Sequence, residues 1–409
     1  VTDRLSVVDD IFLRTHRGFG TPIALQGLWR TAERVDSALL AAVHTALRTG
    51  PLGRRVVRPA VPGARRRWRA STRAHPPARA DGVLPVADLL DWADTTAADL
   101  DPEHGPGWRL SAADLDDGGT VISLTCSHAL ADGRALVIAA DEALRSLGRT
   151  APIPGPPPTS DWADARRQWS TVLRGTVRAL RQGVPSNPER PPTRRATAAA
   201  RPTGVVLQCQ AVAWESAAAP GTANSLFLWI VAQTLWAAGH PRVPIEASLP
   251  VDTRAEPRVD NDLAMTRADI TPDDTPVTLR EKARAAYEHR MTSPGGMPEE
   301  ILQVIPDRWA AALSAGAGER DILCSNIGPL PDSIATLGPH RCTGVAARAI
   351  HPGLTTLPRT RLSGYLCRLG PDHILSLVGL DPDLFPTSAA LRTAAETALA
   401  PLALPVRWW

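Results

Sequence analysis

The chain is almost without lysine: Lys282 is the single one among 45 basic residues, and arginine supplies the rest. Together with abundant alanine, proline and glycine, this bias is that of GC-rich coding. A bacterial and specifically actinobacterial source is therefore expected, with Val1 as a literal reading of a GTG start codon. No CxxC pair occurs; the five cysteines, Cys126, Cys209, Cys324, Cys342 and Cys367, are scattered and odd in number. That pattern indicates neither a zinc cage nor a disulfide framework, and a reducing cytoplasm is the expected compartment. No early apolar run resembles a signal peptide, and no uncharged stretch reaches the ~18 residues that a membrane span needs. The nearest, "NSLFLWIVAQTLWAAG" at 224–239, is too short and contains Gln233. A soluble protein without integral membrane association is expected. Nor is there a large excess of one charge. A net charge of +3 and a pI near 8.8 are too mild for a dedicated nucleic-acid binder, and no finger, homeodomain or RNA-binding signature is present. No internal repeat is found.

What the sequence does contain is core material. With 409 residues, 44% hydrophobic and 21% charged, it exceeds one usual domain length, so two lobes are expected. Residues 34–50 carry apolar side chains at helical spacing and stop at Gly50, an amphipathic helix; "RRVVRP" follows as a strand. "GARRRWRAS" gathers Arg65, Arg66, Arg67 and Arg69 around Trp68, either a solvated strand edge or a docking patch for phosphate or an acidic carrier domain. The β-branched run 119–129 reads as a strand set up by the "DDGG" turn, and "DGRALVIAADEALRSLG" as the helix after it. Proline density at 149–161 marks a linker, a helix covers 161–183, and a Pro/Arg-rich loop covers 184–202. The expected division is an N-terminal lobe at 1–155, a crossover at 156–203 and a C-terminal lobe at 204–409. The second lobe would hold the strand "GVVLQCQAVAW", a buried helix at 224–238, strands near "IEASLPVD", "ILCSNIG" and "HILSLVGLD", and the helix "TLREKARAAYEHRM". Strands and helices alternate in both halves, which gives an α/β or α+β class.

The chemistry concentrates in "LTCSHALADGRAL", where a strand hands over to a helix. A neutral histidine there can take a proton from a hydroxyl or amine attacking a carbonyl, and its ordinary pKa near 6.5 suits neutral pH. Asp132 lies past the turn, able to point back and fix it through an arginine elsewhere; Arg54 or Arg55 is either that partner or a surface residue. Gly133 removes a side chain where the backbone turns or approaches a substrate. Cys126 and Ser127 have no evident triad partner. On these residues alone His128 is either a catalytic base or a structural turn histidine.

"SHALADG" resembles the HHxxxDG motif of the superfamily that includes chloramphenicol acetyltransferase, nonribosomal peptide condensation domains and bacterial wax ester synthases. The opening "RLSVVDDIFLRTHRGFGTPIALQGLW", with its Leu-Ser-x-x-Asp segment, resembles the wax-ester-synthase-like and polyketide-associated acyltransferase branches. "TANSLFLWIVAQTLWAAG", "LPVDTR" with "NDLAMTRADI", and "CSNIGPLP" extend the similarity in order over nearly the whole chain. The resemblance implies two similar lobes in a V with a tunnel at their interface. It also implies that His128 acts as base on a thioester donor without an acyl-enzyme, that Asp132 forms a structural ion pair and that Gly133 allows close approach. Ser127, Ser325, Asn326 and Tyr365 would line the substrate side, Ser325 and Asn326 by helping an oxyanion or else by capping a strand-to-turn transition.

Ser127 replaces the first histidine of the motif, no Asp-Phe-Gly-Trp-Gly motif occurs, and aromatics are only 4% of residues. These departures favour a specialised-metabolite enzyme over a storage-lipid one. The expectation is an acyltransferase or free-standing condensation enzyme. It would use acyl-CoA or a phosphopantetheinyl acyl or peptidyl carrier protein as donor and a small-molecule hydroxyl or amine as acceptor, with no bound cofactor or metal. A noncatalytic carrier-binding module, or a cyclase or hydrolase in the same tunnel, is the alternative. His16, His44, His240, His289, His351 and His373 show no metal spacing and are expected on the surface or in satisfied core positions. Most tryptophans are expected in cores, and the terminal "RWW" over a lobe seam.

Overall fold

A computed structural model describes residues 3–147, 159–182, 194–195, 201–288, 297–316, 318–354 and 356–409. The expected lobe boundary at 155/156, most of the two proline-rich loops and His289 lie outside the described residues. The first half runs α1 (Val7–His16), β1 (Ala24–Thr31), α2 (Ser37–Thr49), β2 (Arg54–Val57), β3 (Arg67–Ala70), β4 (Ala78–Leu84), α3 (Leu89–Asp94), β5 (Trp108–Leu115), β6 (Thr120–Ser127) and α4 (Gly133–Arg145). Then follow α5 (Asp161–Gln182), β7 (Arg194–Arg195), β8 (Thr203–Gln210), α6 (Ala211–Ala218), α7 (Ala223–Ala237), β9 (Ile245–Asp252), β10 (Leu263–Ile270), α8 (Pro276–Glu288), α9 (Ile301–Val304) and α10 (Asp307–Ser314). The chain closes with β11 (Ile322–Pro329), β12 (Thr336–Leu337), β13 (His340–Ile350), β14 (Thr356–Leu357), β15 (Leu362–Leu369), β16 (Asp372–Gly379), α11 (Ser388–Leu399) and β17 (Val406–Trp408).

Local chemistry accounts for these elements. Asp36 accepts a bond from the Leu39 amide and starts α2, whose Leu40, Val43 and Leu47 bury one face. α7 opens with a Thr222/Ser225 capping box and is apolar nearly all round, as befits a helix enclosed by the second core. β6 is buried along its whole length between β1 and β5. In "GVVLQCQAVAW" the strand ends at Gln210, because Ala211 to Ala218 turn into α6 and place Trp214 under the second sheet.

Two sheets carry the fold, in the order β12-β13-β1-β6-β5-β4 and β10-β9-β11-β15-β16-β8-β17. They are not built from two contiguous segments. β13 comes from the C-terminal half, yet it pairs antiparallel with β1 from Ala24/Ile350 to Thr31/Cys342. The expected 204–409 lobe is corrected accordingly: its residues 336–350 belong to the first sheet and cover an edge that β1 would otherwise leave open. One face of the second sheet packs on α7 and α11. The other presents Val206, Tyr365, Cys367, Ile374 and Val378 to the first core. β17 pairs with β8, so Trp408 joins the second core while Trp409 lies over Gly344 of β13, and the terminal pair spans the seam. Nine of the twelve tryptophans are buried or half-buried; Trp162, Trp169 and Trp309 are exposed.

Candidate active site

β6 leaves its sheet at Ser127, and a tight turn closed by the Leu130 amide on the Ser127 carbonyl (2.9 Å) carries His128 before α4 begins. Asp132 caps α4 through Oδ1, which accepts from the Ala135 amide at 2.9 Å. Its other oxygen accepts from Arg254 Nη2 at 2.5 Å and from the Asp262 amide at 3.0 Å. Arg254 thus replaces Arg54 and Arg55 as the ion-pair partner, and it belongs to the quoted "LPVDTR" just after β9. Arg54 has a neighbouring task. Stacked 4.1 Å over Trp68, it donates to the Leu130 carbonyl at 2.7 Å and to Asp260 at 3.0 Å, bracing the same turn from outside. Arg55 is on the opposite face of the β2–β3 hairpin, directly across from Arg69.

His128 is held on three sides. Its ring stacks on Phe12 of α1 with centroids 3.5 Å apart and 11° between planes. Its Nδ1 lies 3.1 Å from Asn261 Oδ1. The Asn261 amide nitrogen faces three acceptors: Asp9 Oδ1 at 2.8 Å, the His128 carbonyl at 2.8 Å and the Ala129 carbonyl at 3.3 Å. Three acceptors around one atom require a donor there, and its two N–H bonds serve the two nearer ones, so the carbonyl end of Asn261 faces the imidazole. Nδ1 must then carry the proton, and the Nε2 lone pair is the basic site. Burial pulls the His128 pKa from 6.5 to about 4, against opposing pulls from its own backbone and from Asp132. The ring is therefore neutral around pH 7. Burial pushes Asp9 up to about 6, opposed by its bonds from Asn261 and from the Ser6 amide, so at neutral pH the carboxylate is charged and keeps Asn261 in this orientation.

Asp9 closes the Leu-Ser-x-x-Asp segment, where Ser6 and Asp9 form a capping box at the start of α1. One carboxylate both starts the helix and anchors the amide that sets the histidine. Two further histidines flank the motif. His16 Nε2 is 2.5 Å from the Ser127 hydroxyl, its ring is bonded to the Leu100 backbone, and burial lowers its pKa. His351, after β13, has Nδ1 3.2 Å from the Pro22 carbonyl; burial pulls it to about 4, with His128 adding in the same direction. Its Nε2 is buried without a hydrogen-bond partner.

The remaining expected site residues divide. Ser127 is fully buried, and its oxygen accepts from the Ala129 amide at 3.1 Å as well as meeting His16, so it holds the turn and does not face a ligand. Gly133 begins α4 beside β11, where an added Cβ would sit 3.5 Å from Ile327, an ordinary contact. Asn326 is exposed and caps its own turn, donating to Asn224 at 2.9 Å and accepting from the Gly328 amide at 3.0 Å. Ser325 is half-buried and in register with Tyr365 on β15. Tyr365 is buried at the seam with Ser363 and the Ala349 backbone at its hydroxyl, and burial pushes its pKa to about 12. In the arginine cluster, Arg65 pairs with Asp164 at 2.7 Å and Arg66 with Asp10 at 2.7 Å, so neither is a free docking charge. Arg67 and Arg69 share the outer face of the hairpin with Arg55. Burial raises the Cys126 thiol to about 12, which removes it as a nucleophile. Among the described residues no cluster of His, Cys, Asp or Glu could hold a metal, and no helix is long and apolar enough to cross a membrane.

Sequence reasoning missed Phe12, Asp9, His16, Arg254, Asn261 and His351 as neighbours of His128. All but His351 stood inside quoted segments: Asp9, Phe12 and His16 in "RLSVVDDIFLRTHRGFGTPIALQGLW", Arg254 in "LPVDTR" and Asn261 in "NDLAMTRADI".

No protein-family profile and no curated protein matches the chain. Solved structures do. The first condensation domain of the CDA synthetase aligns at TM-score 0.62 with 14% identity, covering 100% of this chain and 99% of that one. The wax ester synthase/diacylglycerol acyltransferase from Marinobacter aquaeolei VT8 aligns at 0.58 with 14% identity, covering 98% of each. A mutant starter condensation domain of rhizomide synthetase in complex with C8-CoA and Leu-SNAC aligns at 0.59 with 14% identity, covering 98% of this chain and 93% of that one. The chain has the two-lobed chloramphenicol-acetyltransferase-like fold that these domains share.

The buried Asp132–Arg254 pair generates a stability prediction. Replacing Arg254 by Met leaves the carboxylate uncompensated and should cost about 3–5 kcal/mol in urea unfolding. Adding Asp132→Asn should recover part of that loss. A single variant as stable as the parent would contradict the pairing.

Proposed function

We propose that this chain is an acyltransferase or free-standing condensation enzyme of bacterial specialised metabolism. It moves an acyl group from a CoA or carrier-protein thioester to a hydroxyl or amine of a small-molecule acceptor. The observation that carries this reading is the Asn261 amide, whose orientation leaves His128 Nε2 unprotonated. Nε2 takes the acceptor proton as the acceptor oxygen or nitrogen bonds to the thioester carbonyl carbon. The tetrahedral intermediate then collapses with cleavage of the C–S bond, and the proton passes from Nε2 to the departing thiolate sulfur. A pKa near 4 makes His128 a modest base but a ready acid, so the proton does not linger on the ring. No acyl-enzyme is required, since the Cys126 thiol is inert and the Ser127 hydroxyl is committed to the turn. The complex of a fold neighbour with C8-CoA supports a thioester donor.

Donor docking is assigned to the outer face of the β2–β3 hairpin. There Arg55 and Arg69 oppose each other directly, like charges that repel unless an anion covers them, while Arg67 beside them already has the Asp161 carboxylate near it. The inner face of the same hairpin reaches the motif turn through Arg54.

Three outcomes check this reading. His128→Ala should reduce transfer roughly 100- to 10,000-fold while the protein stays folded. In the producing strain the product should disappear and a precursor lighter by one acyl unit accumulate; an unchanged metabolite profile would leave a noncatalytic module, and a precursor released as free acid or ring would indicate hydrolysis or cyclisation. In a pH profile of kcat/KM, protonation removes the base, so activity should hold from neutral pH downward and fall with a midpoint nearer 4 than the ordinary 6.5. An acid limb at 6.5 would show a histidine in water. Arg55→Glu/Arg69→Glu should lower transfer from a carrier-protein thioester by roughly tenfold or more and spare a small thioester; equal activity with both donors would return the hairpin face to solvent.

A further inference from the structure

α5 is a 22-residue helix with two unlike outer surfaces. Its buried side carries Asp164, Ala165, Gln168, Val172 and Ala179 against the body of the protein. Beside that face Trp162, Trp169, Leu173, Val177 and Leu180 stand in solvent, from 44% exposed at Trp169 to 75% at Trp162. At 100° per residue these five fall within an arc of about 80°, a ridge roughly 27 Å long that Arg166 enters between Trp162 and Trp169. Next around the helix come Arg167, Arg174, Arg178 and Arg181, exposed like Arg166. Among the described residues none of the five pairs with a carboxylate. The helix's two acids are turned inward, Asp161 to Arg4 at 2.6 Å and Asp164 to Arg65 at 2.7 Å, so its outer surface presents only positive charge.

Exposed Trp, Leu and Val cost free energy in water, and a contiguous ridge of them marks a surface that something covers. A convex apolar ridge alone fits either a groove on a protein or a lipid surface. The charge beside it selects between them: a row of arginines with no outward acid complements a surface of phosphates. Indole and aliphatic groups enter the boundary between headgroups and acyl chains, while guanidinium groups alongside meet phosphates. We propose that α5 is a peripheral membrane-docking helix, seating the protein on an anionic phospholipid surface through Trp162, Trp169, Leu173, Val177 and Leu180 with the five arginines at the headgroup level. The inference stands apart from the catalytic reading, because it concerns where the protein sits and uses no residue of the His128 site.

The test is co-sedimentation of the full chain with vesicles of phosphatidylcholine alone and of phosphatidylcholine containing about one-third phosphatidylglycerol. The parent should pellet with the anionic vesicles and be released by salt. Leu173→Glu/Val177→Glu changes two exposed side chains and should reduce that partition by about tenfold or more with an unchanged circular dichroism spectrum. Arg174→Glu/Arg178→Glu should weaken binding to the anionic vesicles alone. Transfer from a soluble thioester should be the same in both variants, which separates this result from any failure at His128. A parent that stays in the supernatant with both vesicle types, or a ridge variant that pellets as well as the parent, overturns the proposal. Should an acidic protein instead co-elute with the parent and not with the ridge variant, the face is a protein-docking site and the lipid assignment falls.

Discussion

Asn261 is where two distant parts of the chain fix one imidazole. Its side chain lies between α1, the His128 turn and the strand β10 that follows it, and each of its polar atoms has a partner of one kind only. A hydroxyl or a carboxylate there could not donate to Asp9 and two carbonyls while accepting from an imidazole. The tautomer of His128 is thus set by an amide 133 positions away in sequence. The ion pair between Asp132 and Arg254 works alongside it, because Arg254 and Asn261 bracket a single segment that grips both ends of the turn.

Burial is the constraint that makes this grip necessary. A histidine out of water resists protonation, and a carboxylate out of water resists ionisation, so His128 moves down and Asp9 moves up. Left unpaired, either group would destabilise the fold; joined through Asn261 they are satisfied together. Asp132 is likewise satisfied by three partners, the Ala135 amide that it caps, the Asp262 amide and the Arg254 guanidinium. His16 and Ser127 complete the enclosure by satisfying each other behind the turn.

The seam itself is stitched by strand exchange. β13 gives the first sheet a long antiparallel partner, and Tyr365 and Trp409 pack where the two cores meet. The site therefore sits on two rigid sheets and a capped helix, with Ile327 of β11 close against Gly133. The arginine-rich surface divides in the same way into charges that build the fold and charges that face outward: Arg65 and Arg66 tie α5 and α1 to the loop before β3, whereas among the described residues Arg55, Arg69 and the outer arginines of α5 serve no internal carboxylate.

Much of this was legible in the chain order. The helix at 34–50, the strand into His128, the buried helix at 224–238 and "IEASLPVD" are set by apolar periodicity, capping residues and turn signals, all of which act over a few residues. The HxxxDG spacing likewise places an imidazole and a carboxylate on either side of one turn, since both belong to the same strand-to-helix junction. Local signals could not name Arg254 over Arg54, because both are arginines at one end of a strand and only the path of the chain after β9 brings one to Asp132. Nor could they separate Arg65 and Arg66 from Arg69, whose difference is which carboxylates the packed α5 and α1 deliver. The sequence by itself determined the elements with strong local signals, the two-lobed class and the candidate base. Tertiary structure alone decided the partner of Asp132, the tautomer of His128 and the exchange of β13, because hydrogen bonds and ion pairs depend on distances of a few ångströms that no spacing along the chain specifies.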